Sequence, residues 1–301
     1  MSLEGSTAII TGASQGIGKA AALGLARRGL SVVLVSRDAQ RAEKAVAEIR
    51  AASGNHQVES LLADLSSQAS VRELAAQLLA RPGRLAVLLN NAGVASPERV
   101  VTGDGLELQL AVNHLAPFLL TNLLLERLVN DGPARVITVA SRVHEQGAID
   151  FEDLQGERNY TGARAYNRSK LANVLFTYEL ARRLEGRGVT ANCLHPGVVP
   201  TNLNRYLGTG RDPAASQPSP VTRMKRSFRR KLGLLRGRRS EVCTPEEACR
   251  TSVHLATSPD VEQVSGAYFV DCRQASSSPA SHDEAIAARL WEVSERLTGL
   301  A

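Results

Sequence analysis

The chain has 301 residues, a hydrophobic fraction of 43% and a formal net charge of +6 at pH 7. This length suits one large domain, and the composition excludes a chain that is disordered throughout. Residues 205–240 hold eleven basic residues against one acid, Asp212, so this segment carries +10 and the rest of the chain −4. We expect no spanning helix, signal peptide or metal site, and reduced cysteines, because long apolar runs, CxxC pairs and paired histidine ligands are absent from the sequence.

Strands and helices are predicted to alternate along the first two-thirds of the chain. Short apolar runs predict strands at 6–10, 31–35, 58–63, 85–90, 135–140, 189–195 and 267–270. Periodic segments predict helices at 16–28, 38–52, 70–80, 106–128, 163–184, 245–256 and 283–297, with Pro117 expected to kink or split the fourth. Apolar strands separated by helices indicate an α/β fold, a Rossmann-type doubly wound parallel sheet with helices on both faces. We expect one domain over 1–301, with a basic lid insertion at 202–240.

A glycine-rich turn, residues 11–18, lies between the first predicted strand and the first predicted helix. Gly12 permits a tight turn, Gly16 lets the backbone approach a pyrophosphate, and Gly18 allows the helix to pack closely on the strand. The helix N-terminus supplies N–H groups and partial positive charge. Such a turn is weak evidence alone, but its position after a strand and before a helix is what a dinucleotide site requires.

The end of the second predicted strand bears on the choice between NAD and NADP. An acidic residue there would bind the ribose hydroxyls and repel a 2′-phosphate. Ser36 and Arg37 stand at this place instead, and a guanidinium suits a phosphate through its charge and paired hydrogen bonds. We expect NADP(H) to be favoured over NAD(H), with Asp38 capping the next helix and pointing away. The alternative is that Arg37 is a solvated surface residue.

Tyr166 and Lys170 lie four residues apart on a predicted helix and therefore share one of its faces. A free phenol titrates near 10 and is a poor base at neutral pH. An ammonium about 4–5 Å away would stabilise the phenolate by roughly 3–4 kcal/mol at an effective dielectric near 20, which would lower the tyrosine pKa by about 2–3. We expect this pair to exchange protons near neutral pH.

Five motifs, in their order along the chain, resemble the short-chain dehydrogenase/reductase family. They are the glycine turn, Asp64-Leu65, Asn90-Asn91-Ala92-Gly93, Tyr166 with Lys170, and Pro196-Gly197-Val198-Val199 with Thr201. The stretches 166–184, 195–199 and 265–272 resemble retinol dehydrogenases and their relatives in particular. The resemblance covers almost the whole chain. One departure is the gap of 25 residues between Ser141 and Tyr166, about twice the usual length in the family.

The resemblance implies a catalytic tetrad of Asn113, Ser141, Tyr166 and Lys170. Ser141 would hydrogen-bond the substrate oxygen, Tyr166 would supply the proton, and Lys170 would also hold the nicotinamide ribose. Asn113 would hold a water that links Lys170 to solvent, or would make a local hydrogen bond within the kinked helix. The implied cofactor contacts are Gly12, Ser14, Gln15, Gly16, Ile17, Gly18, Arg37, Asp64, Leu65, Asn91, Ala92, Gly93, Tyr166, Lys170, Pro196, Gly197, Val199 and Thr201.

The resemblance also implies an NADP(H)-linked oxidoreductase for an apolar aldehyde or ketone and its alcohol. Two alternatives stay open: a reductase of a sugar, quinone or polyketide-type carbonyl, and a non-catalytic cofactor-sensing protein. Nucleic acid is not expected as a partner, because the positive charge is confined to one segment that lacks an aromatic-rich binding motif. We expect a cytoplasmic homodimer or homotetramer that pairs through the helices bearing Asn113 and Tyr166. Three alternatives stay open for the basic stretch 222–239: a solvated lid, a peripheral membrane contact, or a contact with an anionic partner such as a protein or nucleic acid.

Overall fold

A computed structural model of the chain describes residues 3–199 and 243–301. The predicted lid at 202–240, its basic stretch 222–239 and Thr201 lie outside the described residues. In the part that is described, eight strands form one sheet in the order β3-β2-β1-β4-β5-β6-β7-β8. Every neighbouring pair is parallel except β7 with β8. The chain order of strands reverses between β1 and β4, so the sheet has its topological switch point there.

The first seven strands lie within one or two residues of the predicted ones. The strands are β1 Thr7–Thr11, β2 Ser31–Ser36, β3 Val58–Leu62, β4 Leu85–Asn90, β5 Ala134–Val139, β6 Val189–His195, β7 Ala267–Val270 and β8 Arg273–Ala275. The eighth strand was not predicted, because its three residues are polar or only partly buried. It follows a two-residue turn in which Asp271 and Cys272 both have positive φ, 49° and 61°, as a tight hairpin requires.

Helices cover both faces of the sheet. They are α1 Gly16–Ala26, α2 Ala39–Ser53, α3 Gln68–Leu79, α4 Leu108–Leu110, α5 Ala116–Asp131, α6 Gly162–Arg183, α7 Pro245–Ala248, α8 Arg250–Thr257 and α9 Glu284–Thr298. One core cluster joins α1, α2 and α8 to the sheet, and a second joins α3, α5, α6 and α9 to its other side. The predicted doubly wound, single-domain α/β fold is therefore confirmed. The predicted helix 245–256 is interrupted at Cys249.

The long helix with Pro117 contains a wide turn in place of a sharp kink. A π-helical turn, Ala111–Leu115, joins α4 to α5 without a break. Pro117 has no N–H to donate to the carbonyl of Asn113 four residues earlier, which favours such a turn. By length and composition alone the whole helix Leu108–Asp131 is apolar enough to cross a membrane, a property that the sequence analysis did not assign to it. It is mostly buried, and its apolar side chains belong to the core beneath the sheet.

Helix α9 and the extra segment between Ser141 and Tyr166 cover one face of α6. The ring of Trp291 on α9 lies 4.9 Å from that of Phe118 and 5.8 Å from that of Phe176, and the Arg183 guanidinium sits 4.2 Å from the Trp291 ring centroid. Phe151 of the extra segment packs on the cluster shared by α6 and α9. The chain therefore buries with its own residues much of the helix through which pairing was expected.

Candidate active site

The glycine-rich turn is tied directly to the loop that follows β4. The Thr11 hydroxyl oxygen accepts hydrogen bonds from the backbone N–H groups of Asn91 and Ala92, each at 3.0 Å. The side-chain amide of Asn91 donates in return to the carbonyls of Thr11, at 2.8 Å, and Gly12, at 3.2 Å. Asn91, predicted as a cofactor contact, thus uses its amide nitrogen to hold the turn. The sequence analysis placed Thr11 at the start of the glycine-rich turn but assigned it no contact.

The turn has the backbone geometry and the uncapped helix N-terminus that suit a bound pyrophosphate. Gly12 has φ +66°, and a Cβ there would lie 2.9 Å from the Cα of Ala92. A Cβ on Gly18 would lie 2.5 Å from the Gly12 carbonyl oxygen, so the helix packs as closely as predicted. Gly16 has φ +57° and no atom within 4 Å of an added Cβ. No side chain caps the N-terminus of α1 and no acid lies in its first turn, as an anion site requires. The other predicted contacts of this turn, Ser14, Gln15 and Ile17, are exposed or partly exposed.

The residues at the end of β2 leave Arg37 as the charge that faces outward. The Asp38 carboxylate accepts a hydrogen bond from the backbone N–H of Arg41 at 3.0 Å and pairs with its guanidinium at 2.8 Å. Asp38 therefore caps α2, as predicted. The side chain of Arg37 is exposed. Asp64 lies nearby: hydrogen bonds from Ser66 and the charge of Arg37 lower the pKa of its carboxyl. Leu65 packs partly buried against the core.

Ser141 lies two residues after the end of β5 and is the N-cap of a short 3-10 turn, Arg142–Gln146. Its hydroxyl oxygen accepts a long hydrogen bond, 3.4 Å, from the backbone N–H of Val143. Since this bond uses the oxygen as an acceptor, the O–H hydrogen of Ser141 stays available for donation to a ligand oxygen.

Tyr166 and Lys170 are both buried on α6, with 6% and 3% of their surface exposed. The Lys170 ammonium lies 5.5 Å from the centroid of the Tyr166 ring and donates to the carbonyl of Val139 at 3.0 Å. A Cβ on Gly93 would lie 3.5 Å from Lys170 Nζ and 3.5 Å from Asn113 Oδ1. The Lys170 ammonium and the Asn113 amide oxygen therefore both lie close to Gly93.

The pKa of Tyr166 is shifted in the direction opposite to the expected one. Burial raises it above the ordinary value of 10, while burial lowers the pKa of Lys170 to about 8. Desolvation disfavours the charged form of each group, and for the phenol it outweighs the attraction to the ammonium. At neutral pH Tyr166 is therefore a neutral phenol, and Lys170 carries a positive charge.

Asn113 lies in the π turn with its side chain fully buried. Its Oδ1 accepts from the backbone N–H of Val94 at 2.7 Å. Its Nδ2 donates to the carbonyl of Val94 at 2.9 Å and to the hydroxyl of Ser169 at 2.9 Å. The asparagine side chain thus joins the loop after β4 to helix α6 and does not make the local hydrogen bond within its own helix that was one of the two alternatives.

The loop after β6 holds the remaining predicted contacts, Pro196, Gly197 and Val199. Gly197 has φ +89°, and a Cβ there would lie 2.7 Å from the sulfur of Cys243. The backbone N–H of Cys243 donates to the carbonyl of Val198 at 2.9 Å. The sequence analysis did not predict that Cys243 would lie beside this loop.

The family model for short chain dehydrogenases matches residues 6–212. The chain belongs to the short-chain dehydrogenase family. Human retinol dehydrogenase 13 is 44% identical to it over 99% of the chain and 86% of that protein. Mouse retinol dehydrogenase 14 is 43% identical over 99% of the chain and 87% of that protein. The Pseudomonas aeruginosa RhlG/NADP active-site complex superposes with a TM-score of 0.66 and 28% identity over 89% of the chain and 95% of that structure.

This short-chain dehydrogenase anchors its extra segment through a buried polar network near the start of α4. Glu107 is fully buried, and its carboxylate caps α4 by accepting from the backbone N–H groups of Gln109 and Leu110. The Gln109 side chain donates to the hydroxyl of Tyr160 at 2.8 Å. Arg168 donates to the carbonyl of Asp153 at 2.9 Å. These contacts hold the extra segment at Asp153 and Tyr160, and no local sequence pattern predicts the pairing of Gln109 with Tyr160 because the two are 51 residues apart.

Proposed function

We propose that this short-chain dehydrogenase is an NADP(H)-dependent oxidoreductase that interconverts an apolar aldehyde or ketone and its alcohol. Its working residues are Ser141, Tyr166 and Lys170, with Asn113 holding the loop beside them. The observation that carries the proposal is that the Lys170 ammonium and the Asn113 amide oxygen both lie close to Gly93. Gly93 follows β4, whose carboxyl end lies between those of β1 and β5 at the switch point, the usual ligand position in such sheets.

The chemistry divides between the cofactor and the side chains. A nicotinamide dinucleotide, when bound, supplies or accepts the hydride. Ser141 donates its O–H to the substrate oxygen and polarises the carbonyl. Tyr166, a neutral phenol, gives its proton to that oxygen during reduction, and the Lys170 ammonium stabilises the phenolate left behind. Pro117 has no N–H to donate to the backbone carbonyl of Asn113. That carbonyl holds the water through which the proton is returned.

Tyr166→Phe tests the catalytic assignment. The variant removes the phenol O–H that is proposed to transfer its proton to the substrate oxygen, and it keeps the aromatic ring in its buried place. We expect NADPH consumption against a panel of apolar aldehydes and ketones to fall to background, while NADPH binding, followed by fluorescence titration, stays within about twofold of wild type. Turnover that survives in the variant would refute the mechanism. Wild-type protein that binds NADPH and reduces no carbonyl would refute the function.

The preference for NADP(H) rests on Arg37. Asp38 is turned into the cap of α2, so no carboxylate competes for the ribose hydroxyls at this place. The RhlG relative is a complex with NADP, which agrees with this proposal. A charge-assisted contact contributes about 1.5–3 kcal/mol, so Arg37→Ala should lower kcat/KM for NADPH by about 10–100-fold and leave that for NADH unchanged. Lys44→Ala, which removes an exposed cation elsewhere on α2, is the matched control. Equal losses for both cofactors would contradict the assignment.

The substrate class follows from the relatives, two of which are named as retinol dehydrogenases. The substrate proposed here is a small apolar carbonyl compound or alcohol, without commitment to a retinoid. We further propose a cytoplasmic homo-oligomer, either a dimer or a tetramer. Because α9 covers the face of α6 that holds Phe176 and Arg183, pairing would use other surfaces. The proposed membrane contact through 222–239 lies outside the described residues.

A further inference from the structure

His144 lies three residues after Ser141 and is fully buried. Its Nδ1 is 2.7 Å from the carbonyl oxygen of Ser141, and its Nε2 is 3.0 Å from the backbone nitrogen of Ser278. The Ser278 N–H can only donate, so Nε2 must be the acceptor. Nδ1 then carries the hydrogen and donates to the Ser141 carbonyl. Both ring nitrogens of the neutral imidazole are thereby paired, and burial lowers the pKa of His144, which keeps it neutral.

The same residue grips the Ser141 carbonyl twice. Besides the ring, the backbone N–H of His144 donates to that oxygen at 3.1 Å. Two donors on one carbonyl fix the peptide plane that follows Ser141, and so the backbone from which its side chain projects. The His144 ring also packs on Tyr268 of β7, with 5.0 Å between the ring centroids. The imidazole therefore has little freedom to turn.

Through Nε2, His144 contacts a C-terminal segment, residues 276–282, which is held by several hydrogen bonds of its own. Ser277 lies 2.7 Å from the hydroxyl of Tyr178 on α6 and 3.0 Å from Nε2 of His282. Ser281 donates to the carbonyl of Ser278 at 2.6 Å. The segment leads directly into α9. His144 is thus the point where the loop of Ser141 meets the part of the chain that covers α6.

We propose that His144 is a positioning residue: its imidazole sets the orientation of Ser141 and couples it to the C-terminal segment 276–282. The inference rests on the proposed function, because it concerns the donor that Ser141 offers to a substrate oxygen. Removal of a hydrogen-bond donor to the substrate oxygen lowers kcat by about 100–1000-fold. Displacement of Ser141 without its loss should cost less, about 10–100-fold.

Three variants separate the two hydrogen bonds of the imidazole ring, that of Nδ1 to the Ser141 carbonyl and that of Nε2 to the Ser278 N–H. His144→Phe keeps a ring and removes both hydrogen bonds, and we expect kcat to fall about 10–100-fold with NADPH affinity within about twofold of wild type. His144→Asn keeps an amide N–H near the position of Nδ1 and should recover most of the lost kcat. His144→Gln can reach the Ser278 N–H and not the Ser141 carbonyl at the same time, so it should recover thermal stability more than kcat. Circular dichroism checks that each variant is folded.

A double-mutant cycle with Ser141→Ala tests whether the effect runs through the serine. If His144 acts by placing Ser141, His144→Phe should cost little further kcat once the Ser141 hydroxyl is gone. Multiplied losses in the double variant, or an asparagine variant no better than phenylalanine, would overturn the inference while wild-type turnover still supports the proposed function. A wild-type protein inactive against the whole carbonyl panel would instead refute the proposed function, and the inference with it.

Discussion

Lys170 carries a charge that the fold buries, so removing that charge should stabilise the chain. Burial lowers its pKa from 10.5 to about 8. Each pKa unit corresponds to 1.36 kcal/mol, so the buried ammonium costs about 3 kcal/mol at pH 7. Lys170→Met keeps most of the side-chain volume and loses the hydrogen bond to the Val139 carbonyl, worth about 1 kcal/mol. The net expectation is a free energy of unfolding about 2 kcal/mol higher than that of wild type at pH 7.

The pH dependence distinguishes this cause from better packing. The unfolded chain binds the lysine proton more tightly than the folded chain, so the penalty is full below about pH 8 and vanishes as the pH rises through 10.5. Urea unfolding of both proteins should show a gap of about 2 kcal/mol at pH 7 that closes to within about 1 kcal/mol at pH 10. Lys170→Arg, which keeps the charge, should be no more stable than wild type at either pH.

Two outcomes would refute the reasoning on Lys170. A methionine variant less stable than wild type at pH 7 would mean that the ammonium is not held at a cost. A gap that stays constant between pH 7 and pH 10 would assign the gain to packing instead of charge. If Lys170→Met is more stable and has no turnover, the buried charge of Lys170 lowers the stability of the fold and is needed for the reaction.

Two substitutions test the turn and the cover over α6. Gly18→Ala places a Cβ 2.5 Å from the Gly12 carbonyl oxygen, so it should destabilise the chain by about 1–3 kcal/mol and weaken NADPH binding at least tenfold by titration, whereas Gly103→Ala, with no atom within 4 Å, should change neither. Unchanged binding in Gly18→Ala would contradict the close packing of α1. Trp291→Ala should lower the free energy of unfolding by about 3–5 kcal/mol in urea, since the ring is buried between two phenylalanines; a loss below 1 kcal/mol would mean that α9 is not part of the folded core.

The sequence was sufficient for elements whose pattern is local. Strands such as β2 and β5 are apolar runs rich in β-branched residues, and the cap at Asp38 follows from the residue type at a helix start. The π turn at Ala111–Leu115 could not be predicted in that way. Pro117 announces a disturbance, but whether the helix kinks, splits or widens depends on how its two halves pack against the sheet.

The site was predictable as a set of motifs and not as a set of contacts. Spacing alone brings Tyr166 and Lys170 to one face of a helix, yet the sign of the tyrosine pKa shift depends on how far both groups are removed from water. The bonds of Thr11 to the loop after β4 and of His144 to Ser278 span 80 and 134 residues. No local pattern encodes pairs so distant, so only the folded chain reveals them.

The unusual length between Ser141 and Tyr166 connects the cover over α6 to the chemistry. Gly147, just after the 3-10 turn, approaches α6 so closely that a Cβ would lie 2.6 Å from the Asn167 carbonyl oxygen. This contact lies on the turn of helix between Tyr166 and Lys170. The raised pKa of the tyrosine and the lowered pKa of the lysine both follow from burial. The acid–base character of the pair is therefore set by its burial in the folded chain, and the four-residue spacing only brings the two groups together.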